Sequence, residues 1–322
     1  MSGMKYVKLP YVEKPVSKIM FGTAMSPFTG GGDGQTLLDD IYGLGVNAFD
    51  TARVYGQAER CLGEWIESRG IRDQIVILSK CAHPDSSWNK RVNRTQMYAD
   101  LQKSFRELRT DFIDIYILHR DDPDVNVGES VEIFNEMHAK GYIGAFGGSN
   151  WSYQRIEQAN EYAYKHDLIP FTVSSPNFGV AQQYGDIWGG GCETISGPEY
   201  KDARAWYAKQ QTAIVAYSSL ARGLFSGKIK SSDYGRIREL VDEASMRSYV
   251  SEDNFERLRR CEELAEKKGC SVAQIAMAWI YAQDLNAFAV VSTSSAKRMQ
   301  ENIDALQIPL TERETAYIAL EI

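Results

Sequence analysis

From residue 19 to residue 305 the hydrophobic and polar positions follow one repeated rhythm. A short run that is apolar at consecutive positions gives way to a longer segment whose apolar residues recur every three or four. The first pattern reads as a strand buried on both faces, the second as an amphipathic helix. Strands are expected at 19–25, 46–51, 75–80, 113–119, 143–150, 171–177, 212–219 and 287–293. Helices are expected at 35–44, 58–68, 94–109, 128–140, 152–166 and 199–211, then as a pair at 252–268 and 271–283, and finally at 296–305 and 311–320. The stripe Met97, Leu101, Phe105 and Leu108 shows the helical period at its clearest. Residues 4–17 alternate weakly around Pro10 and read as a hairpin ahead of the main fold. Eight strand–helix units in 322 residues predict an α/β fold, a (β/α)8 TIM barrel with an N-terminal β-hairpin and extra helices, forming one domain over residues 1–322.

The rival arrangement is an open, doubly wound sheet, which needs a glycine fingerprint between a strand and the helix after it. The nearest match, Gly43-x-Gly45-x-x-Ala48, lies between a helix and the strand after it, so it reads as a helix stop. Gly223-x-x-x-Gly227-Lys228 is one residue short of a P-loop and lacks the following Ser or Thr.

Composition narrows the function classes. A net charge of -7 gives no reason to expect a nucleic-acid partner. No run approaches a membrane span, and the first residues lack an apolar signal core, so a cytoplasmic location is expected. Five cysteines, an odd number without CxxC, fit a reducing compartment. The four histidines show no metal-ligand spacing, and no metal is expected. Nothing here indicates the oligomeric state.

In a barrel the polar groups at strand C-termini are the informative ones. These are Asp50, Lys80, His119, Ser149 with Asn150, Asn177, Ser218 with Ser219, and Thr293, with Tyr55 five residues beyond Asp50. Each has an ordinary structural reading taken singly; tyrosine alone occurs 18 times. Their weight comes from falling on neighbouring strands, about 4.8 Å apart. The ordinary tyrosine pKa is about 10, and a nearby lysine ammonium lowers it. A buried lysine needs a carboxylate partner, which Asp50 supplies. A histidine can hydrogen-bond a carbonyl oxygen beside the tyrosine hydroxyl. Such a group polarises C=O and protonates the alkoxide as hydride arrives. Cys81, next to Lys80, points to the opposite face and is expected to be buried rather than reactive.

Along nearly its whole length the chain resembles the aldo-keto reductases. The resemblance rests on Phe21-Gly-Thr, Asp50-Thr-Ala-x-x-Tyr55-Gly-x-x-Glu59, Ile77-Leu-Ser-Lys80, Leu118-His119 and Gly147-Gly-Ser149-Asn150. It continues through Ala216-Tyr217-Ser-Ser-Leu220-x-x-Gly223-Leu-x-Ser226-Gly-Lys228 and Arg298-x-x-x-Asn302. It implies NAD(P)H-dependent reduction of an aldehyde or ketone, or the reverse alcohol oxidation, with Asp50, Tyr55, Lys80 and His119 catalytic and Tyr55 the proton donor. It also implies a nicotinamide cofactor across the barrel mouth. Ser149 and Asn150 correspond to the carboxamide contacts and Tyr217 to the ring that stacks on the nicotinamide. Ser218, Leu220, Gly223 and Ser226 correspond to the pyrophosphate loop, and Arg298 and Asn302 to the adenosine clasp. The lysine that often precedes this Arg in NADPH-preferring members is absent, the matching positions being Ser292 and Thr293. Thr293, Ser294 and Ser295 are suited to bond a phosphate, so NADP(H) is favoured over NAD(H). Ser174-Ser-Pro-Asn177 departs from the family pattern, with Ser174 or Ser175 where a glutamine is usual.

The mouth loops are expected to select the substrate, a small carbonyl or sugar-like molecule. They are 25–34, 81–93 with Trp88, and 177–198 with Tyr184, Trp188 and three consecutive glycines. The charges in His119-Arg120-Asp121-Asp122 suggest contact with a polar substrate such as a sugar. The alternative is a cofactor-binding regulatory subunit of the same fold with little turnover.

Overall fold

The computed structural model describes residues 3–322. The eight apolar runs close into a parallel barrel of strands β3 (Ile19–Gly22), β4 (Ala48–Asp50), β5 (Val76–Cys81), β6 (Ile113–Leu118), β7 (Ile143–Ser149), β8 (Val173–Ser175), β9 (Ala213–Ala216) and β10 (Ala287–Val291), with β10 pairing back onto β3. Several strands are shorter than their apolar runs because the residues past each C-terminus turn out into the mouth loops. Residues 51 and 217–219 are examples.

A two-stranded antiparallel hairpin, β1 (Tyr6–Val7) and β2 (Val16–Ser17), precedes the barrel. Its Leu9, Val12 and Val16 pack with the inward-facing Met20, Ala48, Val76 and Phe288. The hairpin therefore plugs the N-terminal end of the barrel and leaves the C-terminal end as the open one. Burying Leu9 and Val12 contributes about 1.5–3 kcal/mol each.

The helices are α1 (Gln35–Gly43), α2 (Ala58–Arg69), α3 (Arg94–Leu108), α4 (Val127–Ala139), α5 (Tyr153–Lys165), α6 (Lys201–Gln210), α7 (Glu243–Tyr249), α8 (Glu252–Lys268), α9 (Val272–Tyr281), α10 (Ala296–Asp304) and α11 (Glu312–Ala319). Most of their starts follow side-chain caps, though α1, α2 and α6 have none. Asn93, Ser152, Ser251, Ser271, Ser295 and Thr311 each accept a hydrogen bond from the third backbone N–H beyond them. α7 and a 3-10 segment, Ser231–Glu239, lie inside what the sequence reads as one irregular loop. Both are short, and most of their residues are polar, so no periodicity marks them. No helix among the described residues is long and apolar enough to cross a membrane.

Strand parity sorts the side chains. In β5, Val76 and Leu78 fill the barrel interior while Ile77 and Cys81 face the helices. Lys80 therefore points into the open end. Cys81 is buried, and that burial pushes its thiol pKa up, as expected of an unreactive cysteine. Ser79, on the outer face, donates at 2.7 Å to Glu59 of α2, and Ser104 of α3 donates to the same oxygen at 2.7 Å. The other oxygen of Glu59 holds Arg53 at 2.9 Å. Glu59 is fully buried, so this one carboxylate ties the loop carrying Tyr55 to β5 and α3.

Replacing Glu59 with Gln leaves the Arg53 guanidinium without its counter-charge and sets an amide NH2 against donor hydroxyls. A loss of about 3 kcal/mol is expected, read as a lower urea midpoint in equilibrium denaturation.

Candidate active site

The residues beyond the strand tips meet in one cleft of about 1380 Å³ at the C-terminal end of the barrel. The residues given catalytic or cofactor roles from the sequence line it: Asp50, Tyr55, Lys80, His119, Ser149, Asn150, Tyr217, Ser218, Leu220, Gly223, Ser226, Thr293, Ser294, Arg298 and Asn302.

At its floor, Lys80 Nζ donates to Asp50 Oδ1 at 2.5 Å and to the Thr51 carbonyl at 3.0 Å. It lies 3.5 Å from Tyr55 Oη. Burial works against the ammonium, but Asp50 and then Tyr55 outweigh it and hold the Lys80 pKa above its ordinary value. Burial likewise pushes Asp50 up, opposed by Lys80. For Tyr55 the direction differs from the sequence expectation. Lys80 does pull the phenol pKa down, but burial is the larger effect and leaves it above 10.0. Tyr55 therefore holds its proton at neutral pH.

The His119 ring meets Tyr55 edge-on, with centroids 5.6 Å apart. Burial and the nearby Lys80 charge keep its pKa well below 6.5, so the imidazole is neutral. Nδ1 is buried without a partner. An orphaned buried N–H is rarer than an orphaned acceptor, so the proton belongs on Nε2, the nitrogen left facing the cleft. The residue is held from behind, since Asn150 Nδ2 donates to the His119 carbonyl at 3.1 Å.

Asn150, with a left-handed φ of 58°, links two walls. Its Oδ1 accepts from Tyr217 Oη at 2.8 Å and from the Glu193 N–H at 3.3 Å, and its second N–H reaches Ser149 Oγ at 3.1 Å. Ser149 Oγ donates to the Ser175 carbonyl at 2.9 Å. Of the two serines at the departure from the family pattern, Ser175 lines the cleft and Ser174 faces outward to the Tyr207 hydroxyl. Asn177 lies outside the cleft lining. Its amide holds Tyr249 Oη at 2.8 Å and Thr194 Oγ1 at 2.9 Å, bracing the lid loop.

The far arm of the cleft ends at α10. Ser295 caps this helix, and Arg298 lies in its first turn with Nε donating to Thr293 Oγ1 and Nη2 to Ser294 Oγ, both at 3.1 Å. A guanidinium, two hydroxyls and a helix N-terminus together suit an anion. Lys228 and Arg222, not assigned from the sequence, line the same cleft.

The mouth loops also meet. Trp88 packs against Gly189, where an added Cβ would stand 2.3 Å from the indole. Trp188 lies under the Arg222 guanidinium, 4.6 Å from the ring centroid. Trp88, Trp188 and Gly189 line the cleft; Tyr184 lies outside that lining. Arg120 is buried in the wall and gives Nη1 to the Gly191 carbonyl at 3.0 Å and Nη2 to the Trp188 carbonyl at 3.1 Å. Its two Nη atoms are engaged by the 184–192 loop, whereas Nε is buried without a partner and the residue lines the cleft. Asp121 pairs with Arg155 and Asp122 with Lys90, away from the cleft. Of the three charged residues after His119, only Arg120 lines the cleft. His83, unremarked in the sequence beyond its lack of metal spacing, does line the cleft. Its position three residues past Lys80 was the available signal. No group of three or more His, Cys, Asp or Glu side chains suited to a metal occurs among the described residues.

Comparison with known proteins agrees with this geometry. The chain is 27% identical over 297 residues to an aldo-keto reductase of Bacillus subtilis, YhdN, covering 87% of this chain and 82% of that one. It is 24% identical over 296 residues to norsolorinic acid reductase B of Dothistroma septosporum, covering 88% of this chain and 70% of that one. The solved glycerol dehydrogenase AKR11B4 of Gluconobacter oxydans superposes with a TM-score of 0.77 at 22% identity, over 99% of this chain and 94% of that one, and so shares its fold. The model of the aldo/keto reductase family matches residues 18–320. With that span covering nearly every strand, loop and helix described above, the chain belongs to the aldo/keto reductase family of oxidoreductases.

Proposed function

We propose that the chain reduces the carbonyl of a small aldehyde or ketone, or oxidises the matching alcohol, with Tyr55 as proton donor and NADP(H) favoured over NAD(H). The carrying observation is the placement of Tyr55, Lys80, Asp50 and His119 at the floor of a cleft of about 1380 Å³. Ligand sites usually measure about 300–1,000 Å³, so the cleft has room for a dinucleotide as well as a small substrate.

The donor set suits that dinucleotide at both ends. Arg298, Thr293, Ser294 and Asn302 would hold the adenosine end and its 2′-phosphate. Ser218, Leu220, Gly223 and Ser226 would border the pyrophosphate, the loop being pinned by the 2.7 Å bond from Ser226 Oγ to the Gly223 carbonyl. Ser149 and Asn150 would meet the carboxamide, and Tyr217 would lie against the ring. All four hydrogen-bonding positions of the Asn150 amide are taken by protein groups. A cofactor contact there therefore exchanges for one of these bonds, whereas Ser149 Oγ keeps a lone pair free. When bound, the dinucleotide supplies the hydride for the carbonyl carbon.

This chain's own residues handle the oxygen. His119 Nε2–H donates to it and draws off charge. Tyr55 Oη gives it a proton, and Lys80 stabilises the phenolate that remains. Asp50 keeps Lys80 charged. The raised Tyr55 pKa keeps the acid form fully populated, and an alkoxide is basic enough to take its proton.

Three outcomes are expected. Tyr55→Phe lowers kcat for NADPH-dependent aldehyde reduction at least about 100-fold while NADPH binding, followed by fluorescence, is unchanged; wild-type rates would remove Tyr55 from the reaction. His119 loses its neutral form only well below 6.5 and Tyr55 loses its proton only above 10.0. The kcat/KM for reduction is therefore level between those two pH values. Alcohol oxidation, which needs the phenolate as base, rises with pH across the same range; a maximum within it for both directions contradicts this assignment. Arg298→Ala raises KM for NADPH about 10- to 100-fold, the size of one or two charge-assisted hydrogen bonds, and leaves KM for NADH nearly unchanged. Equal changes for both cofactors would argue against the 2′-phosphate contact.

A further inference from the structure

A small cavity of about 50 Å³ lies apart from the mouth, where α8, α9 and α11 meet the start of α6. None of its lining residues lines the cleft. Two of them are arginines, Arg257 of α8 and Arg204 of α6. Arg257 is only 3% exposed, yet its guanidinium makes one hydrogen bond to the protein, from Nη1 to Asn254 Oδ1 at 3.2 Å. Arg204 gives Nη1 to the Ile195 and Gly197 carbonyls at 2.8 and 2.6 Å. Among the described residues the other donors of both guanidiniums meet no protein acceptor, and neither forms an ion pair. Their neighbours differ: Arg259 and Arg260, further along α8 and more exposed, both pair with Glu256.

A guanidinium keeps its proton inside a protein, so burial leaves it a cation in need of an anion. Burial lowers the Arg204 pKa, and the carboxylates of Glu321 and Glu199 do not offset it. Glu199 is occupied by the Gln182 amide at 2.8 and 2.9 Å, and Glu321 is the acidic side chain in the cavity wall. A water needs roughly 10–15 Å³ of such space. About 50 Å³ therefore takes an anion of roughly three to five non-hydrogen atoms. Val180, Trp279 and Ala316 make part of the wall apolar.

From these features we propose that the cavity is a binding site for a small carboxylate, an anion of formate or acetate size held by Arg257 and Arg204. A guanidinium meets the two oxygens of a carboxylate with parallel N–H donors. Glu321 admits one negative charge and opposes the second charge of a sulfate or phosphate dianion. The bound anion also joins two parts of the loop after β8. Arg204 holds residues 195 and 197 by their carbonyls. Arg257 holds Asn254, whose side chain bonds both the N–H and the carbonyl of Gln182, at 2.9 and 2.8 Å. The site is independent of the reaction at the mouth.

The test titrates sodium acetate, and separately sodium sulfate, into the full chain in chloride buffer of matched ionic strength, with binding followed by calorimetry. The wild type is expected to bind acetate saturably and more tightly than sulfate. Arg257→Gln weakens acetate binding at least about 10-fold, the loss of one charge-assisted hydrogen bond. Glu321→Gln, an exposed change, tightens it several-fold by removing a like charge from the wall. No saturable acetate binding by the wild type, or equal affinity in Arg257→Gln, overturns the inference and leaves the two arginines as hydrated braces of the loop. Tighter wild-type binding of sulfate than of acetate overturns the carboxylate assignment. If Arg257→Gln does not fold, Glu321→Gln decides, because unchanged or weaker acetate binding there puts the anion elsewhere on the protein.

Discussion

A lysine ammonium sealed inside a protein is stable only against a counter-charge, and the Lys80–Asp50 pair at the barrel floor is that constraint. The pair needs two adjacent parallel strands, an inward position on each, and a loop after β4 that turns the Thr51 carbonyl toward the ammonium. Once the ammonium is held there, it bears on its neighbours. It opposes the effect of burial on Tyr55 and adds to that of burial on His119. The resulting pair is a protonated phenol and a neutral imidazole, the two groups that the proposed reduction sets against the carbonyl oxygen while hydride goes to the carbon.

The surroundings brace this floor from both sides. Outside the barrel, Glu59 gathers Arg53, Ser79 and Ser104, and so sets the path of the Tyr55 loop. Inside the mouth, Asn150 ties the His119 backbone to Tyr217. Arg120, Arg222 and Arg247 hold the 184–192 loop by its carbonyls or its Trp188 ring. The lid is thus fixed largely by cations on aromatic and backbone acceptors, interactions that carry no sequence period.

That difference explains which parts were legible beforehand. Barrel strands are short and buried on both faces, so their apolar runs stand out even where the ends were extended by several residues. The polar residue that stops each run marks the mouth, which is how Asp50, Lys80, His119, Ser149 and Thr293 were found. Asn177 obeyed the same rule and turned out to be a lid brace, because parity places a side chain on a face without saying what has already filled the space. α7 escaped notice because it is a short helix in a polar stretch, stabilised by a cap at Asp242 and by bonds from Asn177 to the Tyr249 hydroxyl and from Arg247 to the Asp186 carbonyl, both distant in sequence.

The sequence by itself determined the eight-fold strand–helix alternation, the identity of the four polar groups at the barrel floor, and the family motifs around them, because these depend on local periodicity and residue chemistry. The tertiary structure alone decided the direction of the Tyr55 pKa, since that is a contest between burial and a lysine whose outcome depends on distances. It decided that Arg120 binds the 184–192 loop through its two Nη atoms, and that the His83 ring turns its Nδ1 to a backbone carbonyl. Those features depend on where side chains far apart in the chain come to rest, and no pattern along the chain records it.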